Sequence, residues 1–204
     1  MTRPQVVAFD LGKVLVDFDY SIAARQFLSR SKASVEDLRY LLCESPLLRQ
    51  YESGGLTTAE FHRGVCAAAG LDASLEEFSA WFADIFSEIK PIIAWQAALR
   101  AAGVPTWILS NTNEIAARHI RRRFPFFSEF DGYVLSYEVG AIKPEPKIYE
   151  VLEERTGSRG DAILYLDDRA ENIAAGAARG WRTVLHETPE QTLAAVGKFG
   201  LQIR

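Results

Sequence analysis

The sequence predicts an α/β protein: a parallel sheet wrapped by helices, with a helical unit inserted after the first strand. Three observations carry that expectation. Short apolar runs that end abruptly in polar residues recur along the chain, helix-like segments alternate with the later ones, and the stretch from Phe18 to Ile89 holds helical patterns without a comparable strand. Apolar runs of this length read as strands buried on both faces, and their alternation with helices makes the sheet parallel.

Val6 to Asp10 is the first expected strand. The insert follows, in which Thr57-x-x-Glu60 and Ser74-x-x-Glu77 fit the capping box, so helices should start near 58 and 75. On the second of these helices Phe78, Trp81, Phe82 and Phe86 share one stripe, which reads as core packing. Ser53-Gly54-Gly55 marks a turn between helices. After the insert, Ile92 to Ala102 reads as a helix and Val104 to Asn111 as the second strand. Asn113 to Arg122 is helical, and its basic end, Arg118 to Arg123, suits the negative end of a helix dipole. Tyr133 to Ser136, Ala162 to Asp168 and Thr183 to Leu185 complete the strands, with helices over Glu145 to Arg155 and Arg169 to Arg179 between them. The division is therefore 1–17 and 90–204 for the sheet and 18–89 for the insert.

Composition bounds the partners. The chain has 204 residues, 48% hydrophobic and 25% charged, with 23 basic and 27 acidic side chains and a formal net charge of −4. It can bury a substantial core, and it lacks the basic field that nucleic-acid or anionic-membrane binding requires. A small metabolite is the expected partner, and the oligomeric state stays open. Cys43 and Cys66 are too few for a disulfide framework and fit no zinc spacing, so a reducing cytoplasm is the expected location. The apolar run after Pro4 is too short for a signal peptide or a membrane span. His62, His119 and His186 lie far apart without ligand spacing.

The polar residues at the strand ends form one chemical set: Asp10, Ser110-Asn111, Lys143 and Asp167-Asp168. Ligands of open parallel sheets sit outside the carboxyl ends of the strands, where this set converges. Three carboxylates would repel one another unless a cation joined them, and all-oxygen ligation points to Mg²⁺. With that cation and Lys143 the charges balance, so a phosphate could enter. Ser110, at a strand-to-helix junction, would offer its hydroxyl and free backbone N–H groups to a phosphate oxygen, and Asn111 would add to the cradle. Lys143 precedes a proline, which favours an extended and stiff segment. Asp10 can attack phosphorus in line, giving an aspartyl phosphate that water then hydrolyses.

Phe9-Asp10-Leu11-Gly12-Lys13-Val14-Leu15, Leu109-Ser110-Asn111, Lys143-Pro144 and Leu166-Asp167-Asp168-Arg169-Ala170-Glu171-Asn172 together resemble the four motifs of the haloacid dehalogenase superfamily, in its order and over essentially the whole chain. The resemblance implies a Rossmann-like core, a mobile cap over 18–89 that closes on substrate, and an aspartyl-enzyme intermediate. It makes Asp10 the nucleophile and a metal ligand, with the Gly12 carbonyl and Asp168 as further ligands and Asp167 behind them or acting through water. Ser110, the Asn111 amide and Lys143 would hold the phosphoryl group, and Asn172 would steady the acidic loop.

One departure matters. Most phosphatases of the superfamily carry a second Asp two residues after the nucleophile as general acid and base, where this chain has Gly12. Loss of a general acid typically costs on the order of 10²–10⁴ in rate, so leaving groups that depart easily, such as an anomeric sugar oxygen, are expected. The Asp-Leu-Gly-x-Val form, with Ser-Asn-Thr-Asn and Asp-Asp, is similar to a subgroup that includes bacterial α-D-glucose-1-phosphate phosphatase, as is the Tyr51-Glu52-Ser53-Gly54-Gly55 turn. The expected activity is Mg²⁺-dependent hydrolysis of a small phosphorylated metabolite, such as a sugar 1-phosphate. Two alternatives stay open: a 2-haloacid dehalogenase acting on carbon, and a catalytically silent binding relative. A phosphate-signalling receiver fits less well, because its acidic pair would follow the first strand. Asp17 and Asp19 read as caps of a helix or turn, with a water-mediated acid role for Asp17 as the sharper alternative.

Overall fold

The computed structural model describes residues 3–201. In chain order the elements are β1 (Val6–Phe9), β2 (Val16–Phe18), α1 (Tyr20–Leu28), α2 (Val35–Cys43), α3 (Pro46–Glu52), α4 (Thr58–Ala69), α5 (Leu75–Ala83) and β3 (Phe86–Glu88). They continue with α6 (Lys90–Ala101), β4 (Thr106–Ser110), α7 (Glu114–Arg123), β5 (Gly132–Leu135), α8 (Ser136–Val139), α9 (Pro146–Thr156), β6 (Ile163–Asp167), α10 (Ala170–Ala178), β7 (Arg182–Leu185) and α11 (Pro189–Val196).

A five-stranded sheet in the order β5-β4-β1-β6-β7 forms the core, and every pairing in it is parallel. Because side chains alternate along a strand, β1 feeds two cores. Val7 and Phe9 pack with Ile92, Trp95 and Leu99 of α6 and Ile120 of α7, while Val6 and Ala8 pack with Ile148, Tyr149 and Leu152 of α9. Helices thus cover both faces, the arrangement that continuous apolar strands require. The Rossmann-like α/β fold expected from the sequence is the observed one.

The helical insert has its own apolar centre, built from Phe27, Leu38, Tyr51, Phe61, Phe78 and Phe82. Both expected capping boxes form: Thr57 with Glu60 at the start of α4, and Ser74 with Glu77 at the start of α5. Phe78 and Phe82 are buried, and Trp81 meets Phe27 edge-on at 5.7 Å.

The insert holds no strand comparable to those of the sheet, as expected, but the three-residue β3 at its end pairs antiparallel with β2, setting Val16 against Glu88 and Phe18 against Phe86. Phe86 was placed on the α5 stripe, but α5 stops at Ala83 and Phe86 meets Phe18 across the ribbon at 6.2 Å. The chain therefore enters and leaves the insert through a two-stranded ribbon, which straddles both expected boundaries at 18 and 89. Strands of three residues leave too little period to read from sequence. Asp19 caps α1 by accepting the Ser21 N–H at 2.8 Å, as expected.

Candidate active site

The carboxyl ends of the central strands open into a cleft of about 450 Å³, walled by Asp10, Gly12, Ser110, Asn111, Lys143 and Asp168 from the sheet and by Arg39, Glu44 and Glu52 from the insert. A larger cavity, about 830 Å³, lies between α5 and α7 and contains none of the strand-end groups. Chemistry rather than size picks out the first.

Asp10 follows β1, and its Oδ1 accepts the Leu11 N–H at 2.6 Å. Lys143, 4% exposed, sits at the centre of the set. Its Nζ lies 2.9 Å from Asp10 Oδ1, donates to Asp167 Oδ2 at 2.6 Å and donates to the Leu109 carbonyl at 2.9 Å. An ammonium has three donors, so all three are used. Direct contact of Lys143 with a phosphate therefore requires one of these bonds to be exchanged.

Asn111 holds the lysine by its main chain: its Nδ2 donates to the Lys143 carbonyl at 3.0 Å, and its Oδ1 accepts the Lys143 N–H at 2.6 Å. One of the two Nδ2 donors is thereby used and the carboxamide is held against the Lys143 main chain, which leaves the second Nδ2 hydrogen and the backbone N–H of Asn111 as donors for a phosphate. The Lys143–Pro144 peptide bond is cis. Ser110, buried at the end of β4, donates only a long bond of 3.3 Å to the Asn111 carbonyl. Its hydroxyl is available for a better acceptor. The loop beyond is pinned by Ser136, which accepts the Thr112 N–H at 2.9 Å and donates to the Thr112 carbonyl at 3.0 Å. Asn113 then caps α7.

Asp167 is fully engaged. Oδ2 accepts from Lys143 and from the Tyr165 hydroxyl, and Oδ1 accepts the Arg169 N–H at 2.8 Å and Asn172 Nδ2 at 2.9 Å. Four donors fill its acceptor sites. Asp10, Asp167 and Asp168 each bring an oxygen within 4.8 Å of the others, but only Asp10 and Asp168 keep capacity for a cation. Gly12 lines the same cleft, and its carbonyl is available to join an all-oxygen set, because the short bridge from Gly12 to Val16 uses the Lys13 N–H, the Val16 carbonyl and the Leu11 carbonyl instead. Two carboxylates and a carbonyl fit a hard cation such as Mg²⁺, which keeps several waters and takes one or two carboxylates plus substrate oxygens.

The electrostatics follow the burial. Burial pushes the Asp10 carboxyl up to about 7, against the pull of Lys143. Asp167 is as deeply set and burial pushes it up too, but Lys143 and the Tyr165 hydroxyl hold it below the usual carboxylate range. Asp168 is raised by burial and by the neighbouring charge of Asp167. A cation beside Asp10 and Asp168 would relieve both.

All strand-end residues expected from the sequence converge. Tyr165 was missed, although it lies two residues before Asp167 on the same face of β6. Arg169 and Glu52 in the cleft wall were not singled out by their side chains. Asp17 is exposed, bonded to Lys13 and absent from the cleft wall, so the structure gives it no path to a reacting group. At Gly12 a Cβ would lie 3.1 Å from the Phe18 ring, which fills the space a side chain there would take.

Comparison with known proteins agrees with this geometry. D-ribitol-5-phosphate phosphatase of Bacteroides thetaiotaomicron is 24% identical over 184 residues, covering 87% of this chain and 89% of that protein. Pyrimidine 5′-nucleotidase YjjG of Escherichia coli is 29% identical over 199 residues, covering 90% and 88%. (S)-2-Haloacid dehalogenases are also among the relatives. A crystal structure of a haloacid dehalogenase family enzyme from Bacteroides thetaiotaomicron, in complex with magnesium and inorganic phosphate, superposes with a TM-score of 0.78 at 23% identity, over 90% of this chain and 94% of that one. The family model for haloacid dehalogenase-like hydrolases matches residues 4–180, a span that contains every strand-end residue of the cleft, and the chain belongs to that family of hydrolases.

Proposed function

We propose that the chain is a Mg²⁺-dependent phosphatase of a small phosphorylated sugar or polyol, working through an aspartyl phosphate on Asp10. The observation that supports it best is the Lys143 hub. One ammonium fixes the carboxylate of Asp10 at the mouth of the cleft while Asp167, saturated by four donors, anchors that ammonium from behind. Phosphatase names among the relatives and the magnesium and phosphate in a similar structure point the same way.

The residues divide the work as follows. Asp10 attacks phosphorus with the carboxylate oxygen that Lys143 does not hold. Ser110 and the Asn111 N–H receive the phosphoryl oxygens, and Lys143 meets the charge that develops on them. Asp10, Asp168 and the Gly12 carbonyl would hold the cation, which when bound neutralises the phosphate and keeps it in line with Asp10. Residues 18–89 form the cap that closes over substrate. A sugar 1-phosphate is the ester that a site with no acid at Gly12 handles most readily, since an anomeric oxygen needs little help to leave.

Phosphate release from a panel of sugar, polyol and nucleoside monophosphates tests this. Turnover is expected with Mg²⁺ and not with a chelator, and Asp10→Asn is expected to abolish it. Activity that survives either change overturns the reading. The dehalogenase reading is favoured by Gly12, because a dehalogenase needs no second acid, and by the (S)-2-haloacid dehalogenases among the relatives. Asp168 beside the nucleophile counts against it, since it would repel a carboxylate substrate. Halide release from a 2-haloacid without metal would reinstate it.

A further inference from the structure

We propose that Glu52 is the general acid and base for the leaving group, carried to the cleft by the docking of α3 on the core. This rests on the phosphomonoester reading above. A phosphatase of alkyl esters needs a proton donor opposite the nucleophile, and the local solution is closed: Gly12 has no side chain and the Phe18 ring occupies the space beside it. The acid must come from elsewhere in the cleft wall.

Apart from Asp10 and Asp168, that wall contains two carboxylates, Glu44 and Glu52. Glu44 is 58% exposed and bridges to Arg39 at 3.3 Å. Glu52 differs on each count. It is half-buried at the end of α3, and among the described residues no hydrogen bond or ion pair occupies its carboxylate. Burial pushes its carboxyl up to about 7, opposed only by the charge of Arg169. A carboxyl in that range can hold a proton and give it up near neutral pH.

Its placement is built by contacts on both sides in sequence. The Tyr51 hydroxyl accepts the Ile115 N–H of α7 at 3.2 Å and lies 2.8 Å from Thr58 Oγ1, which in turn donates to Glu114 of α7. Two residues after Tyr51's neighbour, Gly54 has φ +74° and sits so close to α8 that a Cβ would lie 2.4 Å from the Tyr137 carbonyl oxygen. Arg49 also reaches Glu145, just past Lys143, at 3.8 Å. Tyr51 and Gly54 thus clasp the core, and the residue between them that lines the cleft is Glu52.

The proton balance closes over two steps. As Asp10 bonds to phosphorus, the P–O bond to the leaving group breaks, its electron pair goes to the leaving oxygen, and that oxygen takes the proton of Glu52. Water then attacks the aspartyl phosphate, gives a proton to the Glu52 carboxylate, and the electron pair of the breaking P–O bond returns to Asp10. Glu52 ends protonated and Asp10 ends as carboxylate, as they began. With this acid in place, alkyl phosphates come within reach as well as sugar 1-phosphates.

Comparing Glu52→Gln with the wild-type enzyme on two substrates tests the assignment. On a polyol phosphate, whose alkoxide needs a proton, kcat/KM is expected to fall by about 10²-fold or more. On p-nitrophenyl phosphate, whose phenolate leaves unaided, kcat/KM should stay within about tenfold, because Asp10 is phosphorylated there without a proton, while kcat falls on both substrates through the shared hydrolysis of the aspartyl phosphate. Gly54→Ala, which opens the clasp but keeps the carboxyl, is expected to lower kcat/KM for the polyol phosphate more than for p-nitrophenyl phosphate. Equal losses of kcat/KM on both substrates for Glu52→Gln, or no loss on either, overturn the assignment while leaving the phosphatase reading intact. Absence of wild-type turnover on both substrates overturns that reading and this one with it.

Discussion

At Gly12 the missing methyl group and the ring of Phe18 compete for one volume. A Cβ 3.1 Å from Phe18 Cε1 is closer than ordinary contact, so the ring must shift before any side chain fits. That ring also carries the Lys13 ammonium 4.3 Å above it. Gly12→Ala is expected to lower stability by about 1 kcal/mol, the scale of a mild overpacking cost, and Phe18→Leu in the same chain should remove most of the loss. Thermal melts of the two single variants and the double variant measure that coupling. Lys143 is the more severe case. Lys143→Ala leaves Asp10 and Asp167 facing each other without their counter-charge. Breaking a buried pair costs about 3–5 kcal/mol, to be read in urea titrations without metal, and losing a donor to the transferring group costs about 10²–10³ in kcat.

Between elements, an ion pair away from the cleft ties α9 to the end of α10. Glu153, 8% exposed, accepts from Arg179 Nε at 3.0 Å and Nη2 at 2.6 Å and from Trp181 Nε1 at 2.9 Å. Glu153→Gln is expected to cost about 1.5–3 kcal/mol, the range for bonds to a charged group, without changing kcat. The Arg179 bonds hold the Glu153 carboxyl below its ordinary value of 4.5. The native state therefore binds fewer protons at this site than the unfolded chain, so the stabilisation is complete above pH 4.5 and fades as pH falls through the lower native value. Chemical denaturation of both proteins across that range should show the two curves converging in acid.

The elements also show what a sequence can carry. The capping boxes of α4 and α5 are local, spanning four residues each, and they form where expected. The ribbon of β2 and β3 is nonlocal, pairing Phe18 with Phe86, and its strands are too short for a period. Phe86 fell at helical spacing from Phe82 only because four residues separate them along the chain, while the helix had already ended at Asp84.

Across the whole molecule, the fold and most of the cleft were legible for one reason. Parallel strands must all point the same way, so residues that follow apolar runs in sequence meet at one edge of the sheet. Asp10, Ser110, Lys143 and Asp168 could be found by that rule. The contacts that orient them could not, since Asn111 reaches Lys143 across 32 residues and α3 meets α8 through a glycine turn whose partner no local pattern names. The insert contributes walls of the cleft, and among the described residues its own apolar core takes one residue, Ile115, from the sheet domain.

Among the described residues no helix is long and apolar enough to cross a membrane, and the cleft of about 450 Å³ is sized for a small metabolite. Removing Mg²⁺ should silence turnover without unfolding the chain, because Lys143 ties the buried carboxylates of Asp10 and Asp167 to each other and to the Leu109 carbonyl without a metal. Circular dichroism with and without chelator, run beside the phosphate assay, separates the two effects.

Transfer of the phosphoryl group to Asp10 and then to water means two in-line displacements at one phosphorus atom. Hydrolysis of a phosphate ester made chiral with oxygen isotopes, in the presence of Mg²⁺, reads that directly. Net retention of configuration is expected. Net inversion would mean that water attacks the ester in a single step and that Asp10 is not the nucleophile.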